Sequence, residues 1–337
     1  MEENNHFSFV SIIVPCRNEE RFVAKCLNSI ISNDYPKEKT EILIVDGMSE
    51  DGTMEILKSY AKNYSFVRIL ENKKKNTPVA LNLGIENSKG EIIIKMDAHT
   101  CYEKDYISKC VKHLKESGAE NVGGVLITLP AKDTLIAKAI AFSLSHFFGA
   151  GNSYFRTGSK DPKEVDTVAF GCYKKDVFKK IGLFNEKMIK IEDFELNYRI
   201  RKSGGKIMLF PDIKAIYYPS SDNLIDFFSH NFVDGSWTTY PIKFGFSSVS
   251  WRHLVPLVFV LGLTGSIILS FFFEVFTLLF ILIVCLYFII NALFSFQISV
   301  KEKDLRLFFI LPIVFFLRHI GYGLGSLWGL IKILINK

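Results

Sequence analysis

The chain has 337 residues, 49% of them hydrophobic, with 41 Lys or Arg against 35 Asp or Glu and a formal net charge of +6. A mean hydropathy of +0.21 and 31 Phe exclude a disordered chain, and the length suffices for one large domain or two smaller ones. The averages hide a split: 67 charged residues fall in the first 252 positions and nine in the last 85, with a net charge of +3 in each part, too even for a nucleic-acid binder.

The N-terminal MEENNHFSFV is acidic and polar and has no apolar h-region, so the long N-terminal part is expected to stay in the cytosol. Residues 9–14 (FVSIIV) read as a buried strand, followed by a helix over roughly residues 20–32. Residues 41–45 (EILIV) give the next strand, which ends at Asp46 and leads to a helix beginning near Asp51. Residues 66–70 and 91–96 (EIIIKM) complete a β-α-β-α-β-α-β series. Short β-branched runs between helices predict an α/β fold with a parallel, doubly wound sheet. Ligands of such sheets bind beyond the carboxyl ends of the strands. The residues placed there are 15–19, 46–49 and 97–99, and each of these ends carries polar side chains.

Asp97-Ala98-His99 ends the fourth strand. On an extended segment, residues two apart point the same way, so one cation can meet both side chains. A carboxylate with an imidazole suits Mn²⁺ or Mg²⁺ bridging a diphosphate. Helix capping by the Asp is the bland alternative, and the two other acidic strand ends weigh against it. Asp46 opens DGMSEDGT and is placed to accept a hydrogen bond from a nucleobase N–H or a ribose hydroxyl. Asp51, Gly52 and Thr53 read as turn and capping residues. Glu192 and Asp193 open the amphipathic stretch EDFELNYRIRKSGG, closed by Gly204 and Gly205. Acidic residues are common in a first helical turn, but a carboxylate after the loop-rich GLFNE stretch can also deprotonate a sugar hydroxyl.

Residues 135–149 are apolar, suited either to an ordinary core helix or to the bilayer surface. Residues 254–273 and 275–296 are each long enough to span a hydrocarbon core and should form a hairpin. The connector KEKDLR follows. Residues 307–334 are then apolar except for Arg318, His319 and Lys332, giving either a third span or two half-length segments that re-enter. Gly321, Gly325 and Gly329 form a small-xxx-small face for close helix packing. The basic residues Lys243, Arg252 and the connector favour the cytosolic side. Six scattered cysteines without a C-x-x-C pair predict neither structural zinc nor a disulfide framework.

SIIVPCRNE, VDGMSEDGT, ALNLGI, KMDAHT, AFGCYKKDVFKKIGLFNE and EDFELNYRIRKSGGK fall in the order seen in family 2 glycosyltransferases, which the chain resembles over residues 8–240. DAHT followed by a hydrophobic tail is most similar to the succinoglycan biosynthesis protein group of membrane-bound members. The resemblance implies a GT-A nucleotide-sugar-binding domain (residues 1–240) followed by a membrane anchor (residues 241–337) of two to three transmembrane helices. It implies that Pro15, Arg17 and Glu19 line the nucleotide site with Asp46 on the uracil, and that Asn82 lies near the nucleotide and sugar. Asp97 and His99 match the metal and diphosphate motif, Gly171 the glycine beside the acceptor, Asp193 the catalytic base, Glu192 its neighbour and Arg199 the arginine six residues further along.

Two departures stand out. Gly47 replaces the second carboxylate of the usual V-D-D-G-S. The Q-x-x-R-W motif of processive synthases is missing, and the corresponding HNFVDGSW leaves Trp237 to stack on a sugar or to anchor at the membrane interface. The expected activity is inverting transfer of a sugar from a nucleotide-diphosphate donor, UDP-linked, to a lipid-linked saccharide at the cell membrane. The catalytic domain is expected to be cytoplasmic, the cofactor a divalent metal (Mn or Mg), and nucleic acid no partner. The alternatives are a polyprenyl-phosphate glycosyltransferase and a non-catalytic nucleotide-binding membrane protein.

Overall fold

The computed structural model describes residues 7–245 and 250–335; the first six residues and Lys337, which entered the readings of targeting and orientation, lie outside the described residues. In chain order the elements are β1 (Val10–Cys16), α1 (Val23–Ile31), β2 (Thr40–Asp46), α2 (Thr53–Asn63), β3 (Val67–Glu71), α3 (Thr77–Glu86), β4 (Ile92–Lys95), β5 (Thr100–Tyr102), α4 (Tyr106–Ser117) and β6 (Asn121–Thr128). There follow α5 (Leu135–Ser145), α6 (Phe147–Ala150), α7 (Tyr154–Thr157), β7 (Lys163–Glu164), β8 (Ala169–Lys174), α8 (Asp176–Ile181), α9 (Glu192–Lys202) and β9 (Ile207–Tyr217). Four helices close the chain: α10 (Leu224–Thr239), α11 (Trp251–Ser270), α12 (Glu274–Lys301) and α13 (Leu307–Ile335). Two compact units result, one of residues 1–127 and 158–217, the other of residues 128–157 and 218–337.

The first unit is built on one sheet in the order β3-β2-β1-β4-β8-β6-β9-β5, with β7 on β9. β1, β2, β3 and β4 are parallel, and their register sets Cys16 beside Asp46 and Ile13 beside Lys95. The apolar residues of β1, β2 and β4 are buried almost without break, as expected of strands covered on both faces, while β3 at the sheet edge is only half-buried. α3 lies close on β1, where a Cβ at Gly84 would collide with Ile13. Beyond β4 the sheet departs from the doubly wound parallel pattern: β8 is antiparallel to β4 and to β6, and β9 is antiparallel to β5 and β7. Parallel neighbours need a long crossover, which α1, α2 and α3 provide between the first four strands. After β4 the chain enters β5 within a few residues, with no such crossover.

The second unit gathers α5–α7 and α10–α13. Residues 128–157 and 218–240 cluster with the C-terminal helices. The apolar face of α5 explains this, because Ala139 and Ile140 are fully buried in a cluster with Phe227, Ile298, Leu307, Leu311, Val314 and Phe315. α11, α12 and α13 are three helices long and apolar enough to cross a membrane. α13 is continuous, and its Gly321, Gly325 and Gly329 pack on the α10 backbone at Phe228, Phe232 and Ser236, the close approach that small residues four apart permit. Arg318 Nε donates to Gly149 O (2.6 Å), and His319 Nε2 lies 2.8 Å from Phe148 O. These two polar residues of an apolar helix thus serve the end of α6.

Candidate active site

The loops after β1 and β2 are stitched together. Asn18 N donates to Ser49 Oγ, Glu50 N to Asn18 Oδ1, and Glu19 N to Thr53 Oγ1, at 2.8–2.9 Å. Asp46 is buried, and its carboxylate accepts from Ser49 N (3.0 Å) and Ser49 Oγ (2.6 Å), which fixes its orientation at the end of β2. Asp51 accepts from Thr53 N at 3.0 Å, a turn contact just ahead of α2, whose N-cap is Gly52. A Cβ at Gly47 would press on the Arg17 side chain at 3.2 Å, so the residue that replaces the usual carboxylate leaves room for that arginine. Met48 has φ 59°, an uncommon conformation for a side chain of its size, and is exposed. Pro15 and Arg17 sit on the same strand end, with Arg17 exposed.

Asp97 and His99 follow β4 and are both partly exposed. The Asp97 backbone is held by the Tyr102 hydroxyl at 2.7 Å. His99 Nδ1 lies 3.0 Å from Glu19 Oε1, and its ring packs edge-on to Tyr217. Burial disfavours charge on this imidazole, but Glu19 and Asp97 outweigh it and raise the pKa above the ordinary value. Glu19 is thereby a partner of His99, a role the reading of the first loop did not anticipate. Metal-binding histidines commonly hand their second nitrogen to a carboxylate in this way, leaving Nε2 for the ion. Among the described residues no three or more His, Cys, Asp or Glu are arranged so that they alone could hold a metal ion. A carboxylate and an imidazole are donor types that a divalent cation such as Mn²⁺ accepts.

The third group is the most buried. α9 presents Glu192 and Asp193 to Lys95, whose Nζ lies 3.0 Å from Glu192 Oε1 and 2.5 Å from Asp193 Oδ2. Lys95 and Glu192 are nearly inaccessible, while the Asp193 side chain keeps 24% of its exposure. Burial pushes the pKa of Asp193 up, and Lys95 pulls it back only in part. Glu192 is raised by the same burial. Burial opposes charge on Lys95, but Asp193, Glu192 and Asp97 together hold the ammonium well above its usual range. Asp193 Oδ1 is buried and has no hydrogen-bond partner. Buried polar atoms are nearly always hydrogen-bonded, and a catalytic role is one reason for an exception. Lys95 escaped the sequence reading; its one signal is a lysine inside a buried strand, between Ile94 and Met96.

Other candidates hold the frame around Asp193. Arg199 grips Glu195 through Nε and Nη2 at 2.8 Å each, and donates to the carbonyls of Ile181, Gly182 (3.2 Å) and Leu183 (2.7 Å). Its guanidinium is spent on the loop between α8 and α9. Asn82 grips the same loop, exchanging two 2.9 Å hydrogen bonds with the backbone of Phe184. Both residues therefore position the GLFNE segment. A Cβ at Gly171 would lie 2.6 Å from Asn121 Oδ1 and closer still to the Tyr173 hydroxyl. Asn121, Asn197 and Thr167 form a buried chain of 2.8 Å hydrogen bonds that fixes the rotation of α9. Trp237 belongs to the second unit, on α10, where it packs edge-on to Tyr240.

The sequence profile of glycosyl transferase family 2 matches residues 11–182, half of the chain and the part that carries Asp46, Asp97, His99 and Gly171. The chain belongs to that family. It is an enzyme of the glycosyltransferase class with a GT-A-like fold. Along 96% of its length it is 29% identical to 98% of the dolichyl N-acetyl-alpha-D-glucosaminyl phosphate 3-beta-D-2,3-diacetamido-2,3-dideoxy-beta-D-glucuronosyltransferase of Methanococcus voltae. Over 73% of this chain and 80% of the relative it is 26% identical to the succinoglycan biosynthesis protein ExoA of Rhizobium meliloti. Among solved structures, the mannosyltransferase PcManGT of Pyrobaculum calidifontis, in complex with GDP-Man and Mn²⁺, superposes with a TM-score of 0.59 at 16% identity, over 99% of this chain and 89% of that one. This glycosyltransferase thus shares its fold with a nucleotide-sugar enzyme.

Proposed function

We propose that this glycosyltransferase moves a sugar from a UDP-linked donor to a lipid-linked saccharide, with inversion, and that Asp193 is the general base. The observation that carries the reading is the Asp193 carboxylate, one oxygen held by Lys95 and the other buried without a partner. In the reaction the acceptor hydroxyl gives its proton to Asp193 as its oxygen forms a bond to the anomeric carbon. The bond from that carbon to the diphosphate oxygen breaks, and the nucleoside diphosphate leaves with the electron pair. Attack opposite the leaving group inverts the centre without a covalent intermediate.

Asp97 and His99 would hold a divalent ion, Mn²⁺ or Mg²⁺, which when bound neutralises charge on the diphosphate. Glu19 orients His99, and Asp46 accepts from a ring N–H of the nucleobase, a donor that uracil offers. The lipid-linked acceptor is supported by the name of the Methanococcus relative and by three helices apolar enough to cross a membrane. Basic residues Lys243 ahead of α11 and Arg252 in its first turn, with Lys301 at the end of α12 and Lys303 and Arg306 after it, support a cytoplasmic catalytic unit.

A panel of UDP-sugars assayed with membranes and Mn²⁺, with mass detection of lipid products, tests the substrate class. Mild acid hydrolysis then separates an extended glycan from a single sugar on a polyprenyl phosphate. Products confined to the latter overturn the assigned acceptor.

A further inference from the structure

We propose that the chain crosses the bilayer twice, through the α11–α12 hairpin, and that α13 does not cross: its second half pairs with α10 in the headgroup layer on the side from which α11 sets out.

The level at which α11 begins is fixed against α13. His253 stacks on Tyr322 with ring centroids 6.5 Å apart, and a Cβ at Gly323 would meet Pro256 and Val260. α11 has twenty residues, Trp251–Ser270, about 30 Å of helix, enough for one crossing from that level. α12 runs the other way. Its Tyr287 meets both Phe259 of α11 and His319 of α13, and its Asn291 reaches Pro312 O at 3.0 Å. The far end of this 28-residue helix therefore overshoots the start of α11, where Ile298 packs with Leu307 and Leu311. The polar ladder Asn291–Ser295–Ser299 lies on that overshooting end.

From Gly325 onward the close packing of α13 follows α10, in the same direction along both helices. Phe232 faces Gly325, Ser236 and Thr239 face Gly329, and Lys332 lies over the Tyr240 ring. Were this half of α13 to cross, α10 would go with it, carrying Asp226, His230 and Asp234 on its exposed face. Intramembrane carboxylates of that kind are costly and rare. Meanwhile Leu278, Leu282, Leu286 and Ile289 of the hairpin stay 53–69% exposed.

The chain's three tryptophans mark the proposed layer. Trp251 starts α11, Trp237 lies on α10, and Trp328 lies on α13 beside Lys332. Tryptophan concentrates at the boundary between hydrocarbon and water, and Lys243 and Lys332 complement an anionic leaflet.

Single cysteines in the full-length chain test this in sealed vesicles, with a membrane-impermeant maleimide and the unaltered chain as baseline. Phe272→Cys should label from one face, and Glu302→Cys and Ile335→Cys from the other. A protease site appended after Lys337 should be cut from the Glu302 face. Labelling of residue 335 or cleavage at the tail from the Phe272 face overturns the proposal. With Trp237→Phe and Trp251→Phe in place, Trp328 fluorescence should be quenched more by shallow than by deep brominated lipids. Stronger deep quenching, or none from either lipid, contradicts placement in the headgroup layer.

Discussion

Lys95 Nζ sits 3.0 Å from Glu192 Oε1, joining the fourth parallel strand to the first turn of α9 in a nearly water-free setting. The same ammonium holds Asp193 Oδ2, so two carboxylates share one cation. The group carries one uncompensated negative charge at most, and that excess is relieved when Asp193 takes a proton. Lys95→Met should therefore cut the transfer rate by about 10²-fold or more, the scale of a lost general base, while UDP affinity changes little. Lys95→Arg should recover a substantial part of the rate. Equal inactivity of both variants with UDP binding intact would show that the cation is not what matters.

If Asp193 is the base proposed above, its pKa, raised by burial and only partly countered by Lys95, should set the acid limb of the pH–rate profile. The base must be ionised, so kcat should fall as pH drops through a value above the ordinary aspartate range. The charged and titratable groups facing Asp193 are Lys95, Glu192, Asp97 and Tyr173. Removing Lys95 leaves the carboxylates to repel each other, and the limb should move to higher pH in Lys95→Met. A limb that stays in place separates Asp193 from the rate-controlling proton transfer.

Gly171 has no room for a side chain, because Asn121 Oδ1 and the Tyr173 hydroxyl occupy the space. Gly171→Ala should cost about 1–3 kcal/mol of stability through overpacking. Denaturant unfolding of the purified protein checks this, and an unchanged midpoint would show that β8 yields freely.

Arg199 binds three backbone carbonyls of the loop between α8 and α9. Arg199→Met leaves those carbonyls without their donor, and Lys cannot reproduce the planar fork. Both variants should raise the acceptor KM and speed proteolysis within residues 181–186, with UDP affinity nearly unchanged. A selective loss of UDP binding would instead make Arg199 a nucleotide contact.

The parallel half of the sheet was legible because β1, β2, β3 and β4 are short apolar runs separated by helical patterns. The antiparallel half was not, since β6 contains Gly123 and Gly124 and β9 contains Pro211 and Asp212, which blur a strand's pattern. Asp46, Asp97, His99 and Asp193 were visible as carboxylates and an imidazole in known motif order. The service of Arg199 and Asn82 to a loop backbone was not, because carbonyl partners leave no trace in residue types. Lys95 hid as a single charge in a strand. The glycine face of α13 was readable from its four-residue spacing, whereas its partner proved to be α10.

The central claim is that Asp193 takes the proton from the acceptor, and it is tested most directly by Asp193→Asn in the full-length chain. Asparagine keeps the shape and removes the base. Transfer from the donor used by the unaltered enzyme should fall by about 10²- to 10⁴-fold while UDP binding is retained. An Asp193→Asn enzyme that transfers sugar at close to the original rate contradicts the account.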